Sequence, residues 1–292
     1  MKVVLAVALA LTLQAPSPAR FDSSRAWEHL RQLVALGPRP AGSPAIEESR
    51  SYIKQQLARA SVPVREQAWD DQTPAGPVRM VNLAATIAGG SSDRLVIAGH
   101  YDTKRIREFR FVGANDGGSS TAFLLELARV LKGRRNPMTI ELLFLDGEEA
   151  VVEWQGNDRT YGSRHYVSAA RRDGSLATLK ALVLVDMIAD RDLRIKKDDN
   201  STEWLTEVIW QAARRQKLSA HFSDERTQIE DDHLPFLQAR VPAVDIIDLE
   251  YPAWHTAGDT LDAVSARSMQ VVADTLLAAL PDIEARLLAS DH

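Results

Sequence analysis

Apolar residues recur every three to four positions over Arg25 to Leu36 and Ile46 to Ala60, predicting two helices near the start of the chain. Gly37-Pro38 stops the first and Ser43-Pro44 opens the second. Six strand-like runs follow: Val62 to Trp69, Met80 to Ile87, Leu95 to Ala98, Thr139 to Asp146, Ala181 to Asp186 and Val241 to Asp248. Several are continuous apolar strings, as strands covered on both faces require. Thr121 to Leu131 sets Leu124, Leu127, Ala128 and Leu131 on one helical face. Met269 to Leu280 does the same with Met269, Val272, Ala273 and Leu276, and Pro281 is expected to interrupt it. Strands alternating with helices predict an α/β three-layer sandwich, with a mixed, largely parallel central sheet flanked by helices.

The first residues follow a different pattern. Met1-Lys2 is a short basic start, Val3 to Leu13 is apolar, and Ser17-Pro18-Ala19 offers a small-residue cleavage site. Residues 1–19 read as a secretory signal, and the apolar run is shorter than the ~20 residues of a spanning helix. A secreted or periplasmic protein without stable membrane insertion is expected, with residues 20–292 as a single domain. The chain has 292 residues, 45% hydrophobic and 26% charged, which suits one large globular domain. Its net charge of -5 and lack of a long basic run argue against a nucleic-acid partner. It has no cysteine, so disulfides, a lipoprotein anchor, thiolate nucleophiles and cysteine-held metals are excluded. Any metal must be held by His and carboxylates.

Those residues follow the strands. In open α/β sheets ligands bind beyond the carboxyl ends of the strands. Leu95 to Ala98 runs into Gly99-His100-Tyr101-Asp102, Thr139 to Leu145 into Asp146-Gly147-Glu148-Glu149, and Ala181 to Val185 into Asp186; Trp254-His255-Thr256 follows the strand ending near Asp248. Asp116 adds a carboxylate in the glycine-rich Gly113-Ala114-Asn115-Asp116-Gly117-Gly118. Each has an ordinary alternative: Asp116 as a helix cap, the Glu pair as a solvated turn, a His after a strand as a loop residue. Together they form an imidazole and carboxylate set of the kind Zn²⁺ accepts. Glu148, next to ligand candidate Glu149, stands where a general base belongs. Lys196-Lys197-Asp198-Asp199 reads as an exposed turn, His165 as structural, and His233 as packed rather than ligating.

The motifs His100-x-Asp102, Gly113 to Asp116, Asp146-Gly147-Glu148-Glu149-Ala150, Asp186 and Trp254-His255-Thr256 resemble the bacterial leucyl aminopeptidase-type zinc exopeptidases and the animal-type glutaminyl cyclases. His100-Tyr101-Asp102-Thr103-Lys104, Tyr161-Gly162-Ser163-Arg164-His165 and Glu230 to Leu237 are similar to the cyclases in particular, and Gln72-Thr73-Pro74 resembles the cyclase segment ahead of its first paired strands. The resemblance covers nearly the whole mature chain. It implies a zinc exopeptidase-like fold and one Zn²⁺ on Asp116, Glu149 and His255. It further implies Glu148 as general acid/base, Asp186 and Asp231 in an acidic network with it, and Trp154, Trp254, Tyr251 and Ile229 about the substrate. In the aminopeptidases the residues matching His100 and Asp186 hold a second zinc, so the ligand inventory alone leaves both activities open.

The activity expected from the resemblance is conversion of N-terminal glutamine in peptides or proteins to pyroglutamate, with release of ammonia, by a monomer. The alternative is a dizinc aminopeptidase, and a third reading is a noncatalytic domain binding peptide or metal. Three carboxylates near one another cannot all ionise cheaply, so Glu148, Asp186 and Asp231 are expected to share a proton in short hydrogen bonds. Departures from the cyclase pattern are Gly99 where animal secreted members carry a cysteine, Glu153, and Arg105 to Arg110. Asn115-Asp116-Gly117-Gly118 leans towards the aminopeptidase form.

Overall fold

The computed structural model of the chain describes residues 19–289, so nearly all of the segment read as a signal lies outside the described residues. Two helices, α1 (Ser23–Ala35) and α2 (Pro44–Arg59), come first. The Ser43 hydroxyl accepts the Ile46 N–H at 3.2 Å and Pro44 begins α2, which explains why that helix starts where it does. An antiparallel pair follows, β1 (Val64–Thr73) and β2 (Gly76–Ile87), with Thr73 opposite Gly76. Gln72-Thr73-Pro74 therefore lies at the turn of this pair and not ahead of it.

The other strands of the main sheet are β3 (Arg94–His100), β4 (Thr139–Leu145), β5 (Leu179–Asp186) and β8 (Ala243–Ile247). The order is β1-β2-β4-β3-β5-β8, parallel from β4 to β8, with the antiparallel pair at one edge. Alternate residues enter two separate apolar layers. Leu95 and Ile97 of β3 join one with Ile140, Leu142 and Val183, whereas Val96 and Ala98 join another with Leu143, Leu182 and Leu184. Helices α3 (Gly118–Lys132), α5 (Glu203–Arg215) and α7 (Ala266–Ala289) cover the first face with α1 and α2; α4 (Tyr161–Asp173) and α6 (Leu234–Gln238) cover the second. The result is the expected three-layer sandwich. No helix among the described residues is long and apolar enough to cross a membrane.

Two expectations are corrected. Helix α7 continues through Pro281 to Ala289. Proline removes one N–H and crowds the carbonyl four residues back, but Ile283 and Leu287 are packed into the core and Glu284 is paired with Arg134, so tertiary contacts hold the final turns. Lys196 to Asp199 is not an exposed turn. Ile195–Asp198 forms β6, paired in parallel with β7 (Phe222–Thr227) in a small second sheet. Lys197 is buried there against Trp210, 2.6 Å from Glu207 and 3.0 Å from Asp224, and Asp198 is buried beside it.

Candidate active site

The strand ends bring the acidic and imidazole groups together. β3 ends at His100, β5 at Asp186, and the turn after β4 carries Glu148 and Glu149. Asp102 shapes that turn: its two oxygens accept the N–H groups of Glu148 at 3.2 Å and Glu149 at 3.3 Å. Asp116 precedes α3, whose N-cap is Gly117, so its carboxylate is not spent on capping. Gly117 has φ +76°, and a Cβ there would sit 2.3 Å from the Asp102 carbonyl oxygen, so this close turn requires glycine. Asp259 fixes the Asp116 backbone by accepting the N–H of Asn115 at 2.8 Å and of Asp116 at 3.2 Å.

Two triads share Asp116. His255 Nε2 lies 3.0 Å from Glu149 Oε1 and 3.2 Å from Asp116 Oδ2. His100 Nε2 lies 3.2 Å from Asp116 Oδ1 and 3.1 Å from Asp186 Oδ1. Both sets can offer converging ligand atoms to a metal ion. Ligands ~2.0 Å from a tetrahedral zinc stand ~3.3 Å apart, which these spacings approach. Asp116 Oδ2 is buried without a hydrogen-bond partner although His255 Nε2 is close: the two atoms lie out of line for a hydrogen bond and converge on a common point. That donor set fits a zinc ion. His255 itself adopts φ +52°, a strained backbone for a non-glycine residue, costing on the order of 1–3 kcal/mol. Its ring faces Asp116 and Glu149.

A pocket of about 420 Å³ opens on one side of this cluster. Asp116, Glu148, Glu149, Asp186, Asp231 and His255 form its acidic floor, and Trp154, Trp254, Met187, Ile229, Ile247 and Leu249 its apolar walls. Trp254 is 43% exposed, so it is a pocket rim and not core packing. Trp154 sits on a loop organised by Asp158, whose carboxylate accepts the N–H groups of Val151, Val152 and Glu153 at 3.0, 2.9 and 2.8 Å and the Tyr161 hydroxyl at 2.7 Å. Arg159 lies over the Trp154 ring and pairs with Glu230, which also lines the pocket.

Most of the residues expected at a site meet here, with exceptions. Tyr251 does not line the pocket; its buried hydroxyl donates to Asp259 Oδ1 at 2.9 Å. His100 is sealed beneath the floor. Asp186 Oδ1 faces His100 and accepts the Met187 N–H at 2.8 Å, while Asp231 Oδ1 accepts the Asp232 N–H and its Oδ2 is buried. His165 stacks on Trp69, and His233 is fully buried between Asp198 and Asp245. Sequence reading assigned no role to Lys104, whose ammonium reaches the pocket and lies 3.2 Å from Glu149 Oε2, nor to Asp158.

Burial governs the electrostatics. It pushes the Glu148 carboxyl well above the ordinary range, opposed by His100 and assisted by Glu149 and Asp231. Burial likewise raises Asp231, with Asp186 and Asp232 adding to the effect. The Glu148 carboxyl thus holds a proton more readily than an exposed carboxylate, as a group that takes up and passes on a proton must. Burial acts to lower His255, but the adjoining Asp116 and Glu149 carboxylates outweigh it and raise the imidazole to about 9.

Residues 82–280 match the model of peptidase family M28. The glutaminyl-peptide cyclotransferase of Drosophila melanogaster is 32% identical over 265 residues, covering 81% of this chain and 75% of that protein. The chain belongs to family M28 and, within it, to the glutaminyl-peptide cyclotransferases. The Bos taurus glutaminyl-peptide cyclotransferase is also 32% identical, over 81% of this chain and 75% of its own length. Among solved structures, an Acidobacteriales bacterium glutaminyl cyclase superposes with a TM-score of 0.88 at 38% identity, spanning 97% of this chain and all of that one. A leucine aminopeptidase precursor from Bacteroides thetaiotaomicron superposes at 0.82 with 24% identity, a likeness of fold.

Proposed function

We propose that this protein is a zinc-dependent glutaminyl-peptide cyclotransferase, converting the N-terminal glutamine of peptides to pyroglutamate and ammonia. The observation that carries the choice is the 32% identity to cyclotransferases over three quarters of their length, joined to a tryptophan-rimmed pocket above an acidic floor. Asp116, Glu149 and His255 would hold one Zn²⁺, which when bound supplies a Lewis acid to polarise the substrate's γ-amide carbonyl. Glu148 takes a proton from the α-amine as that nitrogen bonds to the γ-carbonyl carbon, then gives it to the amide nitrogen, which leaves as ammonia. The Asp231 carboxyl group, on the pocket floor, meets the substrate's nitrogen donors. Trp154, Trp254 and Ile229 hold the glutamine side chain bent towards its own amine, which raises the rate through orientation and keeps water away. The reading includes a secreted or periplasmic, monomeric, single-domain protein.

A second reading, a dizinc aminopeptidase, is favoured by one observation: the His100, Asp116 and Asp186 triad has nearly the same spacing as the first. Incubation with a glutamine-initiated peptide separates the two. Mass analysis is expected to show loss of one ammonia with every residue retained; release of a free N-terminal amino acid would reject the cyclase.

A further inference from the structure

One buried carboxylate behind the pocket has no part in the chemistry above. Asp198, at the end of β6, is 2% exposed. Its Oδ1 accepts the N–H groups of Ile229 at 3.0 Å and Asn200 at 3.1 Å, and its Oδ2 accepts the Ser201 hydroxyl at 2.7 Å. Oδ2 also lies 3.1 Å from His233 Nε2, within ion-pair reach though out of line for a hydrogen bond. The Asn200 amide donates to the Ile229 carbonyl at 2.6 Å. Both backbone polar groups of Ile229 are therefore held, and the same carboxylate faces His233 four residues later. Between these anchors lie Glu230, Asp231 and Asp232.

We propose that Asp198 is a positioning residue: it holds the Ile229 backbone and abuts the buried His233, the two ends of the segment bearing Asp231, and so fixes where the Asp231 carboxyl group meets the substrate. The proposal rests on the cyclase reading, which places substrate against Asp231. Hydrogen bonds to a buried carboxylate are among the stronger ones available to backbone N–H groups. A five-residue segment hydrogen-bonded at Ile229 and buried at His233 has little room to shift, and displacing a reacting group by ~1 Å costs on the order of 10²-fold in rate.

The test compares Asp198→Ala and Asp198→Asn in the full zinc-loaded chain, using turnover of a glutamine-initiated peptide and amide hydrogen exchange over residues 228–233. Asp198→Ala is expected to speed exchange at the Ile229 amide and to lower kcat ~10²-fold with a smaller change in KM. Asp198→Asn keeps an oxygen for the Ile229 N–H and should stay within about tenfold of the unmodified chain. In an Asp231→Asn background the further loss from Asp198→Ala should fall below about threefold, as expected if the two act in series. Should Asp198→Ala fail to fold, Asn200→Ala, which frees only the Ile229 carbonyl, takes its place with the same pattern at smaller size. Unchanged exchange, unchanged kcat per folded molecule, or an undiminished loss in the Asp231→Asn background would overturn the proposal. Exchange is read without turnover, so an unmodified chain that forms no pyroglutamate would instead reject the cyclase reading.

Discussion

Asp116 offers one oxygen to each of two triads built from the same residue types, and the two sit in different surroundings. The triad with Glu149 and His255 opens on the pocket, the His255 side chain being 26% exposed. In the triad with His100 and Asp186 the carboxylates reach the pocket but the imidazole is closed off: the His100 side chain is 2% exposed, with Asp102 Oδ1 at 3.4 Å and Glu148 Oε2 at 3.9 Å from its other nitrogen. On the cyclase reading proposed above, matching ligand geometry is not matching function. An ion on the open triad can receive a substrate oxygen, whereas His100 is placed to balance the surrounding carboxylates.

The largest effect that would break this contrast is at Glu148. Glu148→Gln is expected to lower kcat ~10³-fold or more while the protein retains its zinc, checked by kinetics and metal analysis on the same sample. Next in size are paired histidine variants. His255→Ala should lose bound zinc and activity together; His100→Ala should keep the zinc and lose about 10- to 100-fold in turnover, the usual cost of removing a group beside a metal site. Equal zinc loss in both variants would erase the distinction between the triads. Smaller again is Trp154→Ala, expected to raise KM about three- to tenfold with less effect on kcat, because the ring gives up contact area and leaves the acid/base group in place.

The smallest effect concerns the closed side. Burial raises the Asp232 carboxyl to about 7, opposed by the Ser163 hydroxyl and by His100. Its unfolded value is about 3.9, so the folded chain binds the extra proton between these limits. That stabilisation is complete below the unfolded pKa and is lost as pH rises through about 7. In urea melts of the metal-free protein from pH 5 to 8, Asp232→Asn should flatten the decline in stability. An unaltered slope would remove Asp232 from the account.

Much of this was legible in the residues themselves. The apolar runs marked the central strands, and the groups following them, His100, Glu148, Glu149 and Asp186, met at one sheet edge because parallel strands all end there. The local pattern failed where distant contacts decide. Pro281 reads as a stop, yet core packing of Ile283 and Leu287 carries the helix past it. Lys196 to Asp199 reads as a charged turn because nothing local shows that Lys197 is buried against Glu207 or that Asp198 holds residue 229. Tyr251 stands three residues before Trp254, but its hydroxyl is taken by Asp259.

Zinc titration of the metal-free protein tests the central claim most directly, with ammonia and free amino acids measured at each step on a glutamine-initiated peptide. If the open triad alone serves the chemistry, ammonia release rises to its maximum at one zinc per chain and no amino acid is freed. A requirement for a second equivalent, or amino acids appearing in place of ammonia, would contradict it.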